Sequence, residues 1–150
     1  MHVSLIITTY NRPDALLLVL RSIEFQALTP DEVIIADDGS GNDTKAAICA
    51  FQKTSDLNII HSWQKDNGFR AAKSRNKAIA KSSSDYIILI DGDMILHPKF
   101  IQDHVNNAES GYFIQGTRVL LTKNTTSKAL KDMNIQFSFF SQGIQNRKNA

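Results

Sequence analysis

A chain of 150 residues with 42% hydrophobic and 21% charged side chains has the size and composition of one globular domain with a core of its own, which excludes a disordered chain. Seventeen basic against fifteen acidic side chains leave a net charge of +2, too small for a nucleic-acid footprint, so an anionic ligand has to be met by local groups. The single cysteine, Cys49, excludes an intrachain disulfide, and its Ala/Ile/Phe surroundings predict a buried apolar side chain suited to a reducing compartment.

The chain passes from Met1-His2 straight into VSLIITT (3–9), a β-branched apolar run that predicts a first strand. No basic segment or long apolar stretch precedes it, so neither a signal peptide nor a membrane span is expected there. NRPDALLLVLRSIEFQA (11–27) follows, with Leu16, Val19, Leu20 and Ile23 on one helical stripe, Asn11 where a cap belongs and Pro13 in the first turn. PDEVIIADDGS (30–40) repeats the pattern: a short buried strand runs into an acidic turn, and DTKAAICAFQK (43–53) reads as its helix. LNIIHSW (57–63) is a third strand, QKDNG (64–68) a turn, FRAAKSRNKAIAKS (69–82) a basic helix, and DYIILI (85–90) a fourth strand. A helix over about 99–108 and strands near YFIQG (112–116) and RVLL (118–121) complete the regular part. Beyond residue 122 the periodicity weakens.

Continuous apolar strands alternating with helices predict an α/β fold: a Rossmann-like, mostly parallel sheet with helices on both faces. Ligands of such sheets bind beyond the carboxyl ends of the strands. Three polar clusters fall there, TTYNR (8–12), DDGS (37–40) and DGD (91–93). Each alone could be a cap or a turn, and it is their convergence on one sheet edge that points to a site.

If ILIDGDMIL (88–96) is extended throughout, Asp91 and Asp93 face the same side, and two such carboxylates repel unless a cation joins them. All-oxygen ligation favours a hard divalent ion, Mg²⁺ or Mn²⁺, whose shell a diphosphate can complete. The basic helix supplies Arg70 and Arg75 just upstream, near a helix amino end that favours anions, whereas Lys73, Lys77 and Lys81 read as a solvated face. Gly68 lets the chain turn tightly before them.

SLIITTYNRPDAL, EVIIADDGS, DNGFRAAKSRNKAI and DYIILIDGDM stand in the order and spacing of a known family, and over about residues 3–121 the chain resembles the family 2 glycosyltransferases, with the GT-A fold. GFRAAKSRN followed by IDGDM resembles most the bacterial enzymes that extend lipooligosaccharide, capsule or chondroitin-like chains. The resemblance implies a nucleotide-sugar donor, usually a UDP-sugar, a glycan or lipid-linked acceptor, and inverting transfer in surface polysaccharide synthesis. Carried over residue by residue, Thr8 and Tyr10 border the base and ribose, Asp38 accepts from the uracil ring nitrogen, and Arg75, with Arg70 as a weaker match, lies near the base and phosphates. Asp91 faces the ribose or the metal-bound diphosphate, and Asp93 ligates the metal.

The family's general base, an acid in an acidic pair well beyond the DxD motif, has no counterpart here: only Asp103, Glu109 and Asp132 follow Asp93. Residues 1–121 therefore read as a nucleotide-sugar-binding core, and 122–150 as the start of an acceptor-side region or a truncated tail, in a fold incomplete at its carboxyl end. A catalytically inert nucleotide-sugar-binding module and a sugar-nucleotidyltransferase are the competing readings; TTYNRPDA lacks the glycine-rich loop of the latter. The expected location is cytoplasmic, at the inner face of the membrane, with FSFF (137–140), Arg147 and Lys148 read as an interrupted core segment or a peripheral membrane contact. Oligomeric state is left open.

Overall fold

A computed structural model of the chain describes residues 1–149. Strands and helices alternate as β1 (Val3–Thr9), α1 (Pro13–Glu24), β2 (Glu32–Asp37), α2 (Asn42–Gln52), β3 (Ile59–Trp63), α3 (Ala71–Ile79) and β4 (Tyr86–Asp91). The four strands are parallel and lie in the order β3-β2-β1-β4. This is the expected α/β architecture.

The central strands β1 and β2 are buried along almost their whole length because both sheet faces are covered. Alternation divides their side chains: Leu5, Ile7, Val33 and Ile35 join Leu16, Val19, Leu20, Ile23 and Ile48 from α1 and α2 in the main core. Ile6, Ile34 and Ala36 face the other way and pack against Ala78 of α3. A fully buried Leu or Ile contributes about 1.5–3 kcal/mol, so the two faces together hold the sheet between its helices.

The helix faces explain the topology. From β1 outward to β2 and β3 the chain crosses by α1 and α2 on the main-core face; it then returns by α3 on the opposite face to place β4 on the far side of β1. Right-handed crossovers demand that change of face when the direction of winding reverses. The reversal leaves a crevice between the carboxyl ends of β1 and β4, the point where open α/β sheets bind ligands.

After β4 the chain is pinned to the end of α1. Leu96 N donates to Ser22 Oγ at 3.1 Å, Gln26 Nε2 to the His97 carbonyl at 2.8 Å, and Ala27 N to the Pro98 carbonyl at 2.7 Å. Ile101, on α4 (Phe100–Asn107), completes the main core. Beyond α4 come a two-residue antiparallel pair, β5 (Leu120–Leu121) with β6 (Ile144–Gln145), and between them α5 (Lys123–Asp132), capped by Thr122.

Several expectations are corrected. YFIQG is not a strand, and RVLL is one only at its last two residues: 112–118 are exposed, with Tyr112 and Phe113 finding no sheet edge to alternate against. Cys49 is exposed rather than buried, because α2 turns Thr44 and Ile48 inward and the next position points away. Phe139 and Phe140 are likewise exposed and pack on each other, not in the core.

Ala78 is fully buried where α3 meets β1 and β2. Ala78→Leu is expected to overpack that contact and lower stability by about 1–3 kcal/mol, read as a shift in the urea unfolding midpoint.

Candidate functional site

Thr8 and Asp91 are Cα partners in the β1/β4 ladder, so they sit side by side, about 4.8 Å apart, at the topological switch. Arg75, in the second turn of α3, spans them: its Nε donates to Thr8 Oγ1 at 2.7 Å and one terminal nitrogen to Asp91 Oδ1 at 2.6 Å. The ion pair is part-exposed, 38% at Arg75 and 48% at Asp91, and such pairs contribute only about 0–1 kcal/mol. Its effect is to fix a planar cation at the strand ends.

The acidic strand end does not continue extended. β4 stops at Asp91, and Gly92 and Asp93 form a turn that the Met94 N–H closes on the Asp91 carbonyl at 3.3 Å. Alternation therefore does not put Asp91 and Asp93 on one side. Gly92 N donates to the Thr8 carbonyl at 2.8 Å, and a Cβ at Gly92 would stand 2.7 Å from that same oxygen, so only glycine fits against β1. Asp93 is exposed and has no hydrogen bond or ion pair to the described residues.

A second cluster forms at the end of β2. Asp38 is 3% exposed, with Oδ1 accepting from Gln64 Nε2 at 2.6 Å and Oδ2 from the backbone N–H of Arg70 at 2.7 Å. The Arg70 guanidinium donates to the Lys65 carbonyl instead, so its backbone and not its side-chain charge is what meets Asp38. Gln64 Oε1 and Arg70 Nε are buried without a partner among the described residues, an uncommon shortfall worth about 1–3 kcal/mol per group. Tyr10, half-exposed at the end of β1, donates its hydroxyl to Asp66 Oδ2 at 3.0 Å. That bond and the Asp66 charge raise the Tyr10 pKa.

Asp37, fully buried, organises the turn between these groups. Its Oδ1 accepts from the N–H groups of Gly39 and Ser40 at 3.1 and 2.7 Å, and its Oδ2 meets His61 Nε2 at 2.8 Å. Burial pushes the Asp37 carboxyl up, but the hydrogen bonds from His61 and Ser40 outweigh it and hold it below the usual carboxylate value. Gly39 takes φ +102°, and a Cβ there would lie 2.6 Å from the Asp66 backbone.

The structure thus joins Thr8, Arg75 and Asp91 in one group and Asp38 with the Arg70 backbone in another, sets Tyr10 on Asp66, and leaves Asp93 alone in its turn. Sequence reasoning missed Gln64, Asp66 and His61, and held Asp37 only as part of the DDGS cluster, with no role of its own. The Asp-Asn-Gly of QKDNG signals an Asx turn, formed here by Gly68 N on Asp66 Oδ1 at 3.0 Å, but not the reach of Asp66 to Tyr10.

Gly92→Ala is expected to force the turn off β1 and lower the melting temperature by several degrees, displacing Asp91 from Arg75. A second expectation concerns pH. Because the folded-state pKa of Asp37 is depressed, the stability it contributes is complete above about pH 4 and is lost as pH falls through the lowered value. The melting-temperature gap between wild type and Asp37→Asn is therefore expected to be widest near neutral pH and to narrow on acidification below about pH 4.

The chain is similar in sequence and in fold to known proteins. Hyaluronan synthase of Pasteurella multocida is 37% identical over 103 residues, 68% of this chain and 10% of its own length. Chondroitin synthase of Escherichia coli is 34% identical over 103 residues, 68% of this chain and 15% of its own. The chain thus spans only a small part of these relatives. Residues 1–349 of S. aureus TarS in complex with UDP share the fold with a TM-score of 0.60 at 23% identity, over 71% of this chain and 31% of that one. Glucosyl-3-phosphoglycerate synthase from Mycobacterium tuberculosis, in complex with Mn²⁺, UDP and glucosyl-3-phosphoglycerate, does so with a TM-score of 0.54 at 22% identity, over 70% and 38%. The family model for glycosyl transferase family 2 matches residues 4–149, both of these acidic clusters included, and the chain belongs to that family.

Proposed function

We propose that the site binds a nucleotide-sugar donor, with UDP as the nucleotide, and serves inverting transfer to a glycan or lipid-linked acceptor in surface polysaccharide synthesis. The observation that carries this reading is the Arg75 fork across Thr8 and Asp91: it keeps a cation, with donors to spare, at the switch point where a diphosphate belongs. The hyaluronan and chondroitin synthases among the relatives support the polymer class, and the UDP-bound neighbours support the nucleotide.

In this reading Asp38 accepts from the uracil imide N–H, Thr8 and Tyr10 border the base and ribose, and Arg70 contributes the N–H that orients Asp38. Asp93 and Asp91 are the metal-binding carboxylates. They fit a hard divalent ion, Mn²⁺ or Mg²⁺: Asp93 makes no competing bond to the described residues, and Asp91 keeps Oδ2 clear of Arg75. No group of three or more His, Cys, Asp or Glu among the described residues could hold a metal, and in this reading phosphate oxygens and water complete the shell. Such an ion, when bound, supplies charge that offsets the departing diphosphate. Arg75 adds positive charge to the same group from the protein side, and preorganised charge of this kind is often the largest contribution to rate.

The acceptor hydroxyl must lose its proton to a general base. Asp103, Glu109 and Asp132 are all exposed, and none is bonded to a donor-site residue among the described residues. That observation favours a second reading, a unit that binds a nucleotide sugar without transferring it unaided. Residues 1–121 are then the donor-binding core and 122–150 the beginning of the acceptor side. No helix among the described residues is long and apolar enough to cross a membrane, and a place at the cytoplasmic face of the membrane remains part of the proposal.

Titration calorimetry with UDP and Mn²⁺ is expected to show binding that Asp93→Ala abolishes; binding that persists without metal would sink the role given to Asp93. Arg75→Lys, which cannot span two acceptors, is expected to weaken UDP about tenfold, a change of about 1.4 kcal/mol. Sugar transfer or donor hydrolysis by the isolated chain decides between the two readings.

A further inference from the structure

Three side chains at the carboxyl end of β3 each take hold of a different residue of the turn 37–40. His61 Nε2 lies 2.8 Å from Asp37 Oδ2, Trp63 Nε1 donates to the Ser40 carbonyl at 3.0 Å, and Gln64 Nε2 donates to Asp38 Oδ1 at 2.6 Å. The backbone adds a fourth tie, Gln64 N to the Asp37 carbonyl at 3.2 Å. His61 and Trp63 have the parity of Ile59, which faces the main core, while Gln64, one residue past the strand, holds Asp38 from the side of the loop before α3, where its amide also reaches the Arg70 carbonyl at 3.4 Å. Trp63 is half-exposed and spends its one polar atom on this contact, and Gln64 is 4% exposed with its amide committed to Asp38. A strand needs none of these bonds to pair with its neighbour. The β2/β3 ladder is already complete from Val33–Ile59 to Asp37–Trp63.

We propose that this end of β3 is the positioning element of the donor site: Trp63 and Gln64, with His61 behind them, fix the turn and thereby aim the Asp38 carboxylate at the nucleobase. The inference rests on the donor reading given above. None of the three is a catalytic residue; each acts through the turn. Because a carboxylate can swing about its own side-chain bonds, an acceptor that must meet one N–H edge of a base is useful only if its rotation is stopped. Gln64 on Oδ1 and Arg70 N–H on Oδ2 stop it from two directions.

The test measures UDP and UMP binding by calorimetry in Mn²⁺ for wild type, Gln64→Met, Trp63→Phe, Gln52→Met and Asp38→Asn, with a melting temperature for each. Gln52 Nε2 ties the other end of β3 through the Ile59 carbonyl at 2.9 Å, so its variant loosens the strand without touching the turn. Losing a hydrogen bond to a charged group costs about 1.5 kcal/mol or more, and Gln64→Met is expected to weaken UDP and UMP alike, about tenfold. Trp63→Phe keeps an aromatic side chain but loses the pyrrole half of the indole and with it a neutral bond, for about threefold. Gln52→Met is expected to stay within about twofold. Where Gln64→Met does not fold, Trp63→Phe at its half-exposed position carries the test. Affinities within about twofold of wild type in both turn variants, equal losses in Gln52→Met, or a loss for UDP that UMP does not share would each overturn the inference. Absence of UDP binding in wild type overturns the donor reading and this one with it. Binding that Asp38→Asn weakens but the β3 variants leave alone overturns this one only.

Discussion

The arrangement depends on one constraint, the burial of β1 on both faces and both edges. With Leu5 and Ile7 in one core, Ile6 in the other, and β2 and β4 hydrogen-bonded on either side, β1 has no room for a polar side chain that needs water until it reaches Thr8. Polar chemistry is thereby driven to the strand ends. The parallel register then sets which ends meet, Thr8 beside Asp91 on one flank and Thr9 beside Asp37 on the other. Gly92 N on the Thr8 carbonyl and Asp38 N on the Thr9 carbonyl attach both acidic turns to the same two residues of β1.

From that strand the two halves of the site are held differently. On the β4 side the fastening comes from the helix behind: Ser22, Gln26 and Ala27 at the end of α1 hold the chain at 96–98, and Gln26 Oε1 also accepts the Ile101 N–H. The β2 side is fastened laterally by side chains of β3 and by the loop before α3. Arg75 is what crosses between the sheet and α3, and α3 is seated by small buried residues, Ala71, Ser74 and Ala78, which let the helix lie close enough for an arginine to reach the strand ends.

Most of the fold was legible because its signals are local and repeated: Val33–Ala36 and Leu5–Ile7 are unbroken apolar runs without alternation, the mark of a strand covered on both faces, and Pro13 opens α1 where a helix permits proline. Thr8, Arg75 and Asp91 were legible as residue types at the right ends of elements, but not as a bonded group. What was not legible depends on contacts between distant segments. ILIDGDMIL reads as a continuous strand until one knows that the Thr8 carbonyl stands where the side chain of residue 92 would be. QKDNG reads as a plain turn, although Gln64 and Asp66 reach 26 and 56 residues back along the chain. Tyr112 and Phe113 misled in the opposite way: strand-like composition yields no strand where no neighbour offers an edge, and the apolar FSFF likewise does not bring Phe139 and Phe140 into the core.

The contact between Gly39 and Asp66 has a consequence for how variation along this chain is interpreted. Backbone touches backbone there, and Asp66 in turn holds the Tyr10 hydroxyl, so bulk added at a position with no side chain is passed on to a residue of the site. The boundary between scaffold and chemistry consequently does not follow the presence of functional groups. In a ranking of positions by tolerance to substitution, Gly39 belongs beside Asp38, and its silence as a chemical participant is no guide to its freedom to change.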